Sequence, residues 1–115
     1  MKIIVAGSRS IIDYGAVVKA VIDSGFSLSM VVSGGAKGAD ALGEKFATEN
    51  NLQVKIFPAD WKRYGRAAGP KRNKEMAEYA DGLIAIWDGS SKGTKNMIRE
   101  MEKLEKPVFV LHPES

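Results

Sequence analysis

The sequence contains no cysteine and a single histidine, His112. Disulfides, thiolate zinc sites and cysteine nucleophiles are therefore excluded, and one imidazole cannot build a histidine metal cluster. No metal and no cofactor is expected. No apolar run approaches the roughly 20 residues of a membrane-spanning helix. The N-terminus opens on a strand-like Lys2-Ile3-Ile4-Val5, where a leader would show a charged segment and then a long apolar one. A cytoplasmic protein without a membrane partner is expected. Repeats, linkers and low-complexity tracts are also missing. The 115 residues, 44% hydrophobic and 27% charged, suit one folded domain over residues 1–115. What the chain does have is 12 glycines, and 17 basic residues against 14 acidic ones for a net charge of +3. So small an excess says little about nucleic acid by itself; its placement matters more.

Short apolar runs predict strands at Ile3–Ala6, Met30–Val32, Leu83–Trp87 and Val108–Leu111, and the alternating Gln53–Phe57 predicts a fifth at a sheet edge. Helical spacing lies between them. Tyr14, Val17, Val18, Val21 and Ile22 form one stripe, Leu42, Phe46 and Ala47 a second, Met76, Ala77 and Ala80 a third, and Met97, Ile98, Met101 and Leu104 a fourth. Strand and helix alternate throughout, which predicts an α/β fold: a five-stranded, mainly parallel sheet between two helical layers. Asp13 and Asp40 are expected to cap the first two helices. Pro70 suits the first turn of the next helix, and Gly25 a left-handed helix end. Pro58 to Gly69 reads as a long loop without period, and such loops are commonly functional.

Open parallel sheets bind ligands outside the carboxyl ends of their strands. The loops there read Gly7-Ser8-Arg9-Ser10, Ser33-Gly34-Gly35-Ala36-Lys37-Gly38-Ala39-Asp40, Pro58–Pro70 and Asp88-Gly89-Ser90-Ser91-Lys92-Gly93-Thr94. Glycine-rich turns that lead into helix N-termini present backbone N–H groups and positive dipole ends, which is how α/β proteins hold phosphate. Glycine after a strand also serves tight turns. Ten of the 17 cations fall on this rim: Arg9, Lys37, Lys62, Arg63, Arg66, Lys71, Arg72, Lys74, Lys92 and Lys95. Arg72 offers a planar fork for phosphate, with Asn73 beside it. Trp61 and Tyr64 can stack on a base or pin the loop to the core. Asp60 and Asp88 can take ribose hydroxyls or only their own backbone. His112 reads as a terminal surface residue without a partner. Neither the P-loop nor the Rossmann dinucleotide spacing occurs, which disfavours ATP hydrolysis and NAD-dependent redox chemistry.

Gly7-Ser8-Arg9 with Tyr14-Gly15, Val32-Ser33-Gly34-Gly35-Ala36-Lys37-Gly38-Ala39-Asp40 and Gly69-Pro70-Lys71-Arg72-Asn73-Lys74 resemble the SLOG superfamily of Rossmann-like domains, which includes Smf/DprA and the lonely-guy enzymes. Ala59-Asp60-Trp61 and Ser91-Lys92-Gly93-Thr94-Lys95-Asn96-Met97-Ile98 extend the resemblance to its small stand-alone YspA-like branch, from end to end of the chain. The resemblance implies a Rossmann-like fold, self-association into a homo-oligomer, and a pocket for a nucleotide or nucleotide-derived ligand in a sensing, signalling or sequestering role. Lonely-guy enzymes cleave the N-glycosidic bond of nucleoside monophosphates with an arginine and a glutamate. Arg72 and Thr94 match that pattern, and Arg72 would carry catalysis in an enzyme, but Met97 stands in the glutamate's place. A thioether neither stabilises an oxocarbenium ion nor activates water. The Arg-Asn pair also resembles Smf/DprA, which implies single-stranded nucleic acid as another partner. The expected ligand-binding set is Gly7, Ser8, Arg9, Ser33, Gly34, Gly35, Lys37, Gly38, Asp40, Asp60, Trp61, Arg72, Asn73, Asp88, Ser91, Lys92, Gly93 and Thr94.

Overall fold

The computed structural model describes residues 1–113. Its order is β1 (Lys2–Gly7), α1 (Tyr14–Ser24), β2 (Met30–Ser33), α2 (Ala39–Glu49), β3 (Gln53–Ile56), α3 (Trp61–Tyr64), a 3₁₀ turn (Gly65–Ala67), α4 (Ala68–Tyr79), β4 (Gly82–Ile86), α5 (Lys92–Lys103) and β5 (Val108–Leu111). The strands form one sheet in the order β3-β2-β1-β4-β5. All four pairings are parallel, so the expected mainly parallel sheet is wholly so. The alternation of side chains along β1 sends Ile3 and Val5 to one face, where they pack with Val17, Ala20 and Ala47 of α1 and α2. Ile4 and Ala6 point to the other and meet Met76, Ala77, Met97 and Met101 of α4 and α5. Both faces are thus covered, as the continuous apolar runs of β1 and β4 require.

The edge position read for Gln53–Phe57 holds: β3 is the outer strand beside β2, and all four of its residues are exposed. Asp13 caps α1 by accepting the Gly15 N–H at 2.9 Å, and Gly25 ends it at φ +72°. Three expectations need correction. Asp40 does not precede α2: the helix starts at Ala39, Gly38 occupies the cap position, and Asp40 is buried inside the first turn. The segment from Pro58 to Gly69 is not irregular, because Asp60 accepts the Arg63 N–H at 3.1 Å and so nucleates α3. Leu104 lies past the end of α5 and is 44% exposed, so it does not continue the core stripe.

The far end of the molecule is fastened by Lys106. Its ammonium donates to the carbonyls of Ala77 at 2.7 Å, Glu78 at 3.0 Å and Ala80 at 2.8 Å. Carbonyls at a helix C-terminus have no partner within the helix, and a cation there also meets the negative end of the dipole. One side chain therefore ties the end of α4 to the start of β5. Lys106→Met should lower unfolding stability by about 1–3 kcal/mol, read as a reduced urea midpoint with an unchanged slope; an unaltered midpoint would show that water replaces these bonds without loss.

Candidate functional site

The chain runs outward from β1 through β2 to β3 and returns to β4 on the other side of β1. Helices therefore leave opposite faces at β1 and β4, and the crevice between their carboxyl ends is where such sheets bind ligands. Two hollows lie there side by side. The first, of about 310 Å³, has an apolar floor of Ala6, Met76 and Met97 and walls that include Arg9, Asp40, Trp61, Arg72, Asn73, Ser91, Lys92, Gly93 and Thr94. The second, of about 480 Å³, is lined by Gly34, Gly35, Lys37, Ile56, Pro58 and Ala59. Arg9, Ala36, Trp61 and Arg72 border both.

Arg72 binds the walls together. Nη1 donates to the Gly34 carbonyl at 2.7 Å, with a longer contact of 3.5 Å to that of Phe57, and Nε donates to Asn73 Oδ1 at 3.0 Å. Nη2 is left without a protein partner among the described residues. Asn73 is buried, and its Nδ2 donates to Asn96 Oδ1 at 2.8 Å and to the Gly93 carbonyl at 3.3 Å. The loop after β2, the start of α4 and the first turn of α5 thus form one hydrogen-bonded chain. Burial lowers the pKa of the Arg72 guanidinium from its ordinary value, with Asp40 opposing and Arg9 adding to that shift. Burial likewise raises the Asp40 carboxyl above its usual range, against the pull of the Ala36 N–H at 3.3 Å and the charge of Arg72.

Several expected ligand residues are committed to the protein itself. A Cβ on Gly7 would collide with the Ile86 carbonyl, and one on Gly38 would sit 2.5 Å from the carbonyl oxygens of Ser8 and Arg9, at φ +77°. These two glycines serve close packing at the crossing of β1, β4 and α2. Ser8 is buried; its Oγ accepts the Asp88 N–H at 3.1 Å and its carbonyl accepts the N–H groups of Ile11 and Ala39. The Ser33 hydroxyl donates to Glu44 at 2.6 Å and accepts the Gly35 N–H at 3.1 Å. Ser91 caps α5: its Oγ accepts the Thr94 N–H at 3.4 Å and contacts Thr94 Oγ1 at 3.1 Å. Asp60 and Asp88 border neither hollow. Asp60 caps α3, and Asp88 accepts the N–H groups of Ser90 and Ser91 at 2.8 and 2.9 Å.

The rim charge is less focused than the sequence suggests. Of the ten cations, Arg9, Lys37, Arg72 and Lys92 line the hollows. Arg63 and Lys71 lie over the ring of Tyr64, while Lys74 borders a separate depression with Glu100 and Lys103. His112 does have a partner: its Nδ1 lies 3.0 Å from the Trp87 carbonyl. The sequence reading missed Glu44, Asn96 and Ala36. Glu44 could have been found, since it follows Asp40 by one helical turn and so shares its face of α2. Met76 was read only as part of a helical stripe, and Met97 as a stripe residue standing in the glutamate's place; both are core and cavity floor at once. Among the described residues no group of three histidine or carboxylate side chains is arranged to hold a metal ion, and no helix is long and apolar enough to cross a membrane.

The pattern of the YspA, cpYpsA-related SLOG family, YAcAr, matches residues 1–64. The chain belongs to this family. A family-sized relative, the Gene 61 protein of Mycobacterium phage D29, is 35% identical over 118 residues, with 94% of each chain covered. The fold resembles that of DNA processing protein A from Streptococcus pneumoniae at a TM-score of 0.77 and 21% identity, with 98% of this chain covered. The SLOG chain spans about half of that larger one, 50% of its length, and at this identity the likeness concerns the fold.

The bonds that Asp88 accepts hold its carboxyl down to about 2, from an ordinary 3.8. A lowered pKa in the folded state means that the charged form stabilises the fold above the unfolded value and that this stabilisation is lost as pH falls toward the folded one. Between pH 4 and pH 2 the melting temperature of Asp88→Asn should therefore approach that of the parent protein. Parallel melting curves through that window would contradict the loop-cap role.

Proposed function

We propose that the chain binds a nucleotide or nucleotide-derived small molecule at the carboxyl ends of β1 and β4, in a sensing, signalling or sequestering role. The single observation that carries this reading is the first hollow, where an apolar floor of Met76 and Met97 meets the guanidinium groups of Arg9 and Arg72. A base needs an apolar surface, and a phosphate needs cations and unpaired N–H groups. The Ser91 cap takes up the Thr94 N–H, so the first-turn N–H groups of Lys92 and Gly93 remain for an anion. Arg9 is exposed and borders both hollows, which makes it the cation most available to a ligand. Trp61, 52% exposed, supplies an aromatic face at the same place.

A thermal-shift screen of mononucleotides, dinucleotides and cyclic nucleotides tests this. At least one should stabilise saturably, by about 2.7 kcal/mol when present at a hundredfold excess over its Kd. Arg9→Ala should abolish the effect and leave the ligand-free protein within about 0.5 kcal/mol of the parent. A flat screen would overturn the reading.

Single-stranded nucleic acid is the second reading. It is favoured by the exposed rings of Trp61 and Tyr64 beside Arg63 and Lys71, a stacking surface with backbone cations, and by the fold shared with a DNA processing protein. Its signature is a linear fall of log affinity for an oligothymidine with log salt, with a slope of roughly 0.7 per contacted phosphate. No binding at low salt would exclude it.

A further inference from the structure

We propose that the ligand has two nucleoside units joined through a phosphate or pyrophosphate bridge, one unit in each hollow and the bridge between Arg9 and Arg72. This rests on the nucleotide reading above and narrows it to a ligand class. The two hollows divide their chemistry. Each has a volume in the range of, or approaching, a whole small-molecule site, and they are not separate sites, because Arg9, Ala36, Trp61 and Arg72 border both. A mononucleotide held over Met76 and Met97, with its phosphate at the arginines, would leave the hollow of about 480 Å³ unfilled.

The lining of that second hollow decides what extends into it. Apart from the shared residues, it consists of the side chains of Ile56, Pro58 and Ala59, the backbone of Gly34 and Gly35, and one cation, Lys37. A polyphosphate tail needs several cations or a metal ion along its length. An apolar wall beside the Gly35 carbonyl, which accepts no bond among the described residues, suits a sugar and a ring instead: the ring packs on Ile56 and Pro58, and a hydroxyl bonds to that carbonyl. Charge falls in the same order. The two guanidinium groups stand at the junction, with Arg72 Nη2 unpaired among the described residues, while the buried carboxylate of Asp40 offsets part of their charge. A bridge carrying one or two negative charges matches this junction better than a triphosphate does. Trp61 stands at the same boundary, with its six-membered ring reaching Gly69, where an added Cβ would lie 3.2 Å from Cη2. From there it can cover one of the two rings.

Titration calorimetry decides between the classes. The probes are the adenine, guanine, cytosine and uracil forms of four compounds: the 5′-monophosphate, the 5′-triphosphate, the 3′,5′-linked dinucleoside monophosphate and the 5′,5′-dinucleoside diphosphate. A bridged compound should bind at least tenfold tighter than the monophosphate of its own base, and its linkage tells which bridge is preferred. Ala59→Trp, which fills the second hollow alone, should remove that advantage and leave monophosphate binding unchanged. Monophosphates or triphosphates that bind as tightly as the bridged compounds would overturn the two-unit assignment and leave nucleotide binding intact. So would a variant that weakens all probes alike. Absence of saturable binding for every probe would overturn the nucleotide reading itself.

Discussion

The guanidinium of Arg72 is the tie on which the site depends. It reaches from α4 to the Gly34 carbonyl after β2, and through Asn73 it continues to Asn96 and Gly93 at the start of α5. Three walls that leave the sheet in different directions are thereby set at fixed spacing. The tie lies beside the buried carboxyl of Asp40 and keeps part of its donor capacity open. Buried polar chains of this kind are favourable only when each member is satisfied, and the described residues contain no buried side-chain nitrogen or oxygen without a partner. Under the proposed reading, structural and functional roles meet in one side chain here. Truncating Arg72 would disturb the pocket's shape as well as its charge, whereas Arg9 contributes charge from an exposed position.

Close backbone approach is the second condition for the site. Gly7 lets β1 run against the end of β4, and Gly38 lets the start of α2 rest on the carbonyls of Ser8 and Arg9. The Ser8 hydroxyl then holds the loop after β4 through the Asp88 N–H. The crevice at the switch of strand order is therefore narrow at its base and opens only above, where Met76 and Met97 form the floor. A pocket built in this way is largely formed before any ligand arrives, which limits the ordering cost of binding.

Much of this was legible in the sequence because burial leaves a periodic trace. The apolar runs Ile3–Ala6 and Leu83–Trp87 identified the central strands, and the alternation in Gln53–Phe57 identified an edge. The glycine-rich loops and the Arg72-Asn73 pair placed the expected site at the carboxyl end of the sheet, where the two hollows lie. The direction in which each hydroxyl and carboxylate points was not legible, since it depends on partners distant in the chain. Ser33 turns to Glu44, Asp60 to Arg63 and Ser91 to Thr94. A loop rich in serine and aspartate reads equally as a phosphate cradle or as a set of local caps, and here much of the hydroxyl and carboxylate chemistry is spent on caps. Asp40 escaped correct placement for a related reason: the close packing of Gly38 lets α2 begin two residues earlier than an aspartate cap at position 40 would require.

The family pattern ends at residue 64, and the bridge from Gly34 to Asn96 spans both sides of that boundary. The first part of the chain supplies Arg9, Asp40 and Trp61, while Arg72, Asn73 and Thr94 come from the remainder. Neither part holds the crevice alone, and the residues joined are far apart in sequence, so the crevice cannot exist in a partly folded chain. If the crevice binds as proposed, occupancy would act as a check on completeness: a bound ligand favours only the state in which both halves of the sheet have docked, and a truncated or misassembled copy would be silent to it.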